Sequence, residues 1–416
     1  MHPDLNRLAA YLDGALDEAA RADVRGHLLT CPACAARLER LRADARRITA
    51  SVAGPAPDVR AAVRARLRRV GPATWLLRGG ALAGALTALL LFALLIGVRA
   101  GGVTVGRDPD RLFMTDRQNG QLLALDAGSG AVLSALAVGD QPREVRYDRR
   151  LDQLYILLEQ EVVAVDVRTL SVAHRWAAPQ RFDVYSGMAL DERRGRLYVA
   201  QPIEGAIALL DAATLTPTGS FHLGRAPQDL VLTPDGGTLF ALDEDGMLWT
   251  IDTSDGAKSA QSLNVGGVWQ RGWLAISSDG RTLYMLRSGA PAIMRHIDVR
   301  SGQIGAPVSL PAGPAPQDLL LLDDRNLAIP RGDNVRGGVA IVATDSLSAT
   351  AQIDPATDEH HLVAGPQGHI FGLNFTHGRI TRYDTAARKV IWRTPENRGW
   401  QPWDGAFVPG GWRWPW

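Results

Sequence analysis

Seven copies of one short apolar strand core divide most of this 416-residue chain into near-equal lengths. The copies are Leu112-Phe113-Met114, Leu154-Tyr155-Ile156, Leu197-Tyr198-Val199, Leu239-Phe240-Ala241, Leu283-Tyr284-Met285, Leu327-Ala328-Ile329 and Ile370-Phe371-Gly372. Their first residues are 42, 43, 42, 44, 44 and 43 positions apart. An aspartate travels with each copy, after the next strand: Asp126, Asp166, Asp211, Asp252, Asp298, Asp345 and Asp384. There a carboxylate can fix a tight turn. A period in the low forties with about four short strands per unit describes a β-propeller blade, and seven of them close a ring. The phase of the repeat also says how the ring shuts. The first unit begins with its second strand at Leu112, so its innermost strand has to come from the other end of the domain, and residues 403–408 after Pro402 have the right pattern.

The N-terminal stretch has a different texture. Both cysteines of the chain and a histidine fall within His27-Leu28-Leu29-Thr30-Cys31-Pro32-Ala33-Cys34. His27, Cys31 and Cys34 at i, i+4 and i+7 share one side of a helix or helix junction, and three N/S donors so spaced are what tetrahedral zinc takes. The nearest histidine or cysteine upstream is His2, which completes H-x24-H-x3-C-x2-C as a four-ligand set. Two cysteines in so long a chain exclude a disulfide scaffold, and their pairing with histidine favours metal over a bridge, hence a reducing compartment. The surrounding residues read as short helices: Asp4 and Asp17 are capping residues, Gly14 is a stop, and Leu38, Leu41 and Ile48 form an apolar stripe. About fifty residues with so few large side chains supply little core, which zinc binding would offset.

Charge is distributed unevenly. Residues 1–78 hold 14 Arg against 8 Asp+Glu, while the remainder holds 31 Lys+Arg against 36 Asp+Glu. Between these halves, residues 79–98 form a run of 20 without a charge. At ~1.5 Å per residue a helix of that length spans about 30 Å, so the run predicts one transmembrane helix. Arg60, Arg64, Arg66, Arg68, Arg69 and Arg78 precede it, which predicts a cytoplasmic N-terminus and an extracytoplasmic C-terminal domain. The basic stretch 54–78 has an amphipathic face of Val59, Val63, Leu67 and Val70. It suits either anionic headgroups or a docking role on a protein partner, and it lacks the aromatic interleaving of a nucleic-acid binder.

Two resemblances follow from these residues. His2, Ala10-Tyr11-Leu12-Asp13-Gly14-Ala15-Leu16 and Val24-x-x-His27-Leu28-x-x-Cys31-Pro32-x-Cys34 resemble the zinc-binding anti-sigma domain family. That resemblance implies a cytoplasmic helical module, with structural Zn2+ on His2, His27, Cys31 and Cys34, that sequesters an extracytoplasmic-function sigma factor. Release by thiol oxidation is expected of members with a further cysteine, which this chain lacks. The stretch from Leu223-Gly224-Arg225-Ala226-Pro227 through Thr233-Pro234-Asp235-Gly236 is similar to the YVTN type of propeller repeat. Its Gly-x-x-Pro element recurs at Gly139/Pro142, Gly313/Pro316 and Gly399/Pro402.

The expected fold class is therefore multidomain: a small all-α zinc-binding bundle (1–53), a juxtamembrane helix (54–78), a transmembrane helix (79–98), a linker (99–110), an all-β seven-bladed propeller (111–411) and a Trp-rich tail (412–416). The expected function is a membrane-anchored anti-sigma factor of the bacterial cytoplasmic membrane, with one span and an envelope ligand or protein at the propeller. The alternative is an envelope-binding or assembly protein whose zinc module recruits another cytoplasmic partner. No catalytic constellation emerges, so no enzyme is expected. The one dense polar cluster, Asp358-Glu359-His360-His361, puts adjacent histidines on opposite faces of a strand, against a shared metal.

Overall fold

The computed structural model describes residues 109–410 apart from 184, 255–260, 265–271, 290, 312–315, 333–336, 355–357 and 397, together with residues 23, 24, 26–28 and 31 near the N-terminus. The chain divides into two units, Met1–Ile96 and Gly97–Trp416. In the second, seven four-stranded antiparallel sheets follow one another along the chain. Each is a blade.

Closure happens in blade 1. Its innermost strand is Pro402–Val408, the last of the described strands, and it pairs with Arg111–Asp116, the first of them, with Leu112 opposite Phe407 and Met114 opposite Gly405. Gln121–Asp126 and Val132–Ala137 complete that blade outward. The phase of the repeat predicted this clasp. A bulge between Met114 and Asp116 frees Thr115, whose hydroxyl accepts from Asp404 N–H at 3.0 Å and lies 2.8 Å from the Arg143 carbonyl. One hydroxyl thus ties the propeller's first and last strands to blade 2.

Both faces of each blade are covered by neighbours, which is why the strand cores are unbroken apolar runs rather than alternating ones. In blade 2, Leu154 and Ile156 pack with Phe113 and Val138 toward blade 1, whereas Tyr155 and Leu157 pack with Met188 and Leu197 toward blade 3. Successive side chains of a strand point to opposite faces, so one strand feeds two cores. Seven apolar clusters result, one at each joint between blades. Tyr155 is fully buried and donates its hydroxyl to Ala212 O at 2.8 Å, satisfying the polar end of a large ring across the joint.

The aspartates that mark the repeat close the outer hairpins. Asp126 accepts from Ser129 N–H at 2.7 Å, Asp166 from Thr169 N–H at 2.7 Å, Asp211 from Thr214 N–H at 2.9 Å and Asp298 from Ser301 N–H at 2.7 Å. Asp345 departs from the pattern. Its blade's strand ends at Ala343, and it is Ala343 whose carbonyl accepts from Leu347 N–H, as Asp126 O does from Gly130 N–H.

The expected fold class requires correction. Among the described residues the protein is a seven-bladed β-propeller with almost no helix: helical residues at 23, 24 and 26–28 and the 3-10 turn Pro366–Gly368. No helix of the described residues is long and apolar enough to cross a membrane. The all-α bundle and transmembrane helix were inferred from apolar spacing and hydropathy, which report what a segment can bury and not its backbone. Residues 54–108 and the tail 412–416, to which the helical and tail assignments were made, lie outside the described residues.

Candidate functional site

Of the four residues expected to hold zinc, the structure describes His27 and Cys31; His2 and Cys34 lie outside the described residues. Cys31 N–H donates to His27 O at 2.9 Å, an i to i+4 bond that completes one helical turn. That turn stacks the imidazole and thiol positions on one face, and Cys31 is half-buried. One imidazole and one thiol brought together in this way fit a zinc site, with two further donors to come from elsewhere. Among the described residues no three His, Cys, Asp or Glu side chains converge as a metal site.

The propeller's own site is its axial channel, a cavity of about 950 Å³ lined by the inner strands of all seven blades. Around it runs a set of carboxylates that sequence reading missed. Glu144 of blade 2 accepts from Met188 N–H of blade 3 at 2.6 Å. Asp229 of blade 4 accepts from Leu274 N–H of blade 5 at 2.7 Å, Asp318 of blade 6 from Leu362 N–H of blade 7 at 2.8 Å, and Asp404 of blade 1 from Val145 N–H of blade 2 at 2.9 Å. Each acid stands two residues after the proline of a Gly-x-x-Pro element. That spacing was the available signal. It carries the carboxylate to the start of the inner strand and across to the next blade's backbone.

The remaining three joints lack such a clip. The equivalent positions in blades 3, 5 and 7 hold Gly187, Trp273 and His361. Gly187 N–H donates directly to Gln228 O at 2.8 Å, drawing the two backbones into contact. His361 faces the channel, with Nδ1 3.8 Å from Asp318 and its ring 5.4 Å from that of Trp403.

Electrostatics in the channel follow from crowding. Burial pushes the Asp229 carboxyl up to about 6, against the Leu274 N–H bond and the Arg146 charge, which favour ionisation. Asp229 keeps some water-accessible surface because it faces the channel, yet it is closely surrounded by protein. Asp318 is also raised, first by burial and then by Asp404, against the pull of His361. Arg146 is fully engaged: it donates to Met188 O at 3.1 Å and Val145 O at 3.0 Å, and pairs with Glu144 and with Asp404 at 3.6 Å.

Blade 7 buries the polar run Asp358-Glu359-His360. Glu359 is fully buried and accepts from Tyr383 OH at 2.7 Å and Thr381 Oγ1 at 3.0 Å, with burial holding its carboxyl above the usual range. Its carboxylate lies over Gly372, where any Cβ would meet Glu359 Cδ at 2.8 Å. This is why the seventh strand core reads Ile370-Phe371-Gly372. His360 has its ring centroid 3.8 Å from that of Phe375, and burial, then the charges of His361, His377 and Arg379, push it down to about 3. It stays neutral at physiological pH.

Comparison with known proteins agrees with this division. Residues 5–35 match the family described as a putative zinc-finger, so His27, Cys31 and Cys34 lie inside the matched stretch and His2 just ahead of it. The uncharacterised protein YncE of Salmonella typhimurium is 25% identical over 151 residues, covering 35% of this chain and 41% of the relative. That of Salmonella typhi is equally similar. This chain thus spans about two fifths of the length of the curated relatives it matches. Among solved structures, Kuenenia stuttgartiensis hydrazine synthase superposes with a TM-score of 0.53 at 17% identity, over 61% of this chain and 86% of that one. The dihydro-heme d1 dehydrogenase NirN gives 0.52 at 16%, over 70% of this chain and 64% of that one. At such identities the likeness is one of fold: the chain joins a zinc-finger sequence to a β-propeller.

Proposed function

We propose that this chain is an anti-sigma factor: its zinc-binding segment holds an extracytoplasmic-function sigma factor, and its propeller governs release. The observation that carries the reading is the zinc-finger match over residues 5–35, whose H-x3-C-x2-C spacing is the one that anti-sigma domains use. His27, Cys31, Cys34 and His2 hold the metal. Zinc supplies a four-coordinate tie that a module this short in core residues needs to keep one shape. No catalytic step belongs to this reading. Its address follows from the arginine asymmetry and the thiols: residues 1–78 in the cytoplasm, the propeller beyond the membrane. Protease treatment of intact spheroplasts checks that, with the propeller cleaved and residues 1–78 protected.

The deciding experiment co-expresses the full chain with extracytoplasmic-function sigma factors of its own genome and measures co-purification and zinc content. The wild type retains the sigma factor and about one zinc per chain. Cys31→Ser and Cys34→Ser each lose both, and a chelator strips both together. A chain that holds zinc but no sigma factor would sink the reading in favour of a zinc module with a different cytoplasmic partner.

A further inference from the structure

In five of the blades the outermost strand carries one residue that its neighbour does not pair. The register skips Leu133 in blade 1, Ala173 in blade 2, Thr218 in blade 3, Thr350 in blade 6 and Ile391 in blade 7. A bulge of this kind leaves its extra residue outside the ladder, here at the sheet edge. Three blades put alanine or threonine there, whereas the adjacent blades 7 and 1 put isoleucine and leucine. Ile391 is 40% exposed, Leu133 48% and its neighbour Val132 41%. Among the described residues they are three of the four large apolar side chains so exposed, the fourth being Ile203 of blade 3. The two edges are joined: Trp392 donates its indole N–H to Ala127 O at 3.2 Å, and a Cβ at Gly130 would meet Trp392 Cζ3 at 2.8 Å.

Charge along this rim has one sign. Residues 127–133 and 385–391 contain Arg388 and Lys389 and no carboxylate. Both cations are exposed, and neither has an ion-pair partner among the described residues. Asp384, opposite Lys389 in the ladder, is engaged by Ala387 N–H at 2.8 Å and lies 4.0 Å from His369. The patch also sits where the chain enters and leaves the propeller. Val132 stands opposite Leu125, Asp126 opposite Arg111, and Arg111 opposite Val408, so these strand ends share one end of blade 1. There Gly410 N–H donates to Asp110 at 2.7 Å. In sequence, Gly411-Trp412-Arg413-Trp414-Pro415-Trp416 follows at once, with three tryptophans and a further cation.

We infer that the rim of blades 7 and 1 rests on a bilayer surface with anionic headgroups, Val132, Leu133 and Ile391 at the acyl boundary and Arg388 and Lys389 at the phosphates. Exposed apolar side chains beside unpaired cations are the combination that such an interface rewards. Tryptophan is at home in the same layer. A second copy fits less well, because a two-fold contact through this patch sets its cations against themselves. The inference rests on the membrane address proposed above and adds which part of the propeller meets the lipid. Entry of the protein into lipid discs reports the address, and footprinting within the discs reports the patch, so the two fail separately. Sigma-factor retention enters neither measurement.

Lysine acetylation tests it, since Lys258 and Lys389 are the chain's two lysines. The full chain is reconstituted, one copy per disc, in nanodiscs of equimolar phosphatidylcholine and phosphatidylglycerol and treated with a water-soluble acetylating ester. Lys389 reacts about tenfold more slowly than the amine introduced by Ile203→Lys, which follows the Gln201–Ala206 pair at the opposite end of its blade. The double variant Leu133→Glu, Ile391→Glu raises the Lys389 rate about tenfold and leaves position 203 unchanged. Both substitutions fall on exposed bulge residues, and thermal midpoints are recorded to show that the fold is kept. Discs of phosphatidylcholine alone protect Lys389 less. Equal rates at positions 389 and 203, or protection that persists in the double variant, overturn the inference. Protection undiminished in phosphatidylcholine discs overturns it in favour of a cover supplied by the chain's own residues 411–416. A chain that stays out of the discs overturns the address and this inference with it.

Discussion

The joint between blades 3 and 4 and the joint between blades 4 and 5 solve one problem in two ways. At the first, Gly187 N–H meets Gln228 O at 2.8 Å and nothing stands between the backbones. At the second, the Asp229 carboxylate spans the gap, one oxygen on Leu274 N–H at 2.7 Å and the other on its own strand's Leu230 N–H at 2.9 Å. Inner strands converge on the axis, and of these two joints one closes the gap while the other fills it with an acceptor. The direct joint depends on the absence of a side chain. The clipped joint depends on a charge that burial disfavours. Geometry therefore limits one and titration limits the other.

The largest effect is expected from breaking the direct joint. A Cβ at Gly187 would lie 2.9 Å from Gln228 O, 3.2 Å from Leu230 N and 3.3 Å from Asp229 Cα, all backbone atoms that cannot swing aside. Gly187→Val is expected to destabilise the propeller by about 3 kcal/mol in guanidinium unfolding, the scale of overpacking at a rigid contact. Gly224, with open space around its missing Cβ, is unsuitable as a control because its φ is +69°. Gly219 of the outer strand Pro217–His222, whose Cβ would meet only Leu209 Cδ2 at 3.9 Å, is the better one, and Gly219→Val should cost far less. Equal losses at the two positions would mean that the inner joints have more slack than the contact distances imply.

Titration of the clip should be smaller and of definite sign. Asp229 has its carboxyl raised to about 6 in the folded protein against an ordinary 3.8. The folded state therefore holds the proton more tightly, so stability is greatest below about pH 4 and is lost as pH rises through about 6. Roughly 2 kcal/mol is at stake, allowing for water in the channel. His360 acts in the opposite sense. Its folded value near 3 means that the unfolded chain takes up the proton first, and stability falls as pH drops below about 6.5. The informative measurement is thus a difference profile between wild type and Asp229→Asn from pH 4 to 7, in which His360 cancels. The wild type should lose stability relative to the variant as pH rises. A flat difference would show that the clip's carboxylate is well solvated.

Legibility in the sequence followed what each side chain has to touch. Strand cores such as Leu154-Tyr155-Ile156-Leu157 were visible because burial on both faces leaves no polar alternation. The clasp through Pro402–Val408 was visible because a blade lacking its first strand has to recover it. Glu144, Asp229, Asp318 and Asp404 were overlooked because an acid shortly after a proline reads as turn chemistry, and their acceptor role exists only once the next blade is in place. In the segment matched as a zinc-finger, the i, i+4 spacing of His27 and Cys31 was readable, and the structure joins the two by one turn through Cys31 N–H and His27 O. The bundle was projected from apolar spacing and capping residues and the span from an uncharged apolar run, and the described residues hold neither.

The smallest effect concerns two aspartates that occupy the same slot by sequence spacing. Asp211 closes its hairpin with two bonds, from Thr214 N–H and Thr214 Oγ1, both at 2.9 Å. Asp345 stands two residues beyond its strand, past the position where the other blades place their turn acceptor. Asp211→Ala should cost about 1 kcal/mol, the net value of a partly exposed hydrogen-bonded turn, while Asp345→Ala should fall within about 0.5 kcal/mol of wild type. The contrast repeats on the rim what Gly187 and Asp229 show at the axis. A repeat position acquires its energetic weight from the partner that its own blade presents, so a loss at Asp345 as large as that at Asp211 would mean that spacing alone assigns the role.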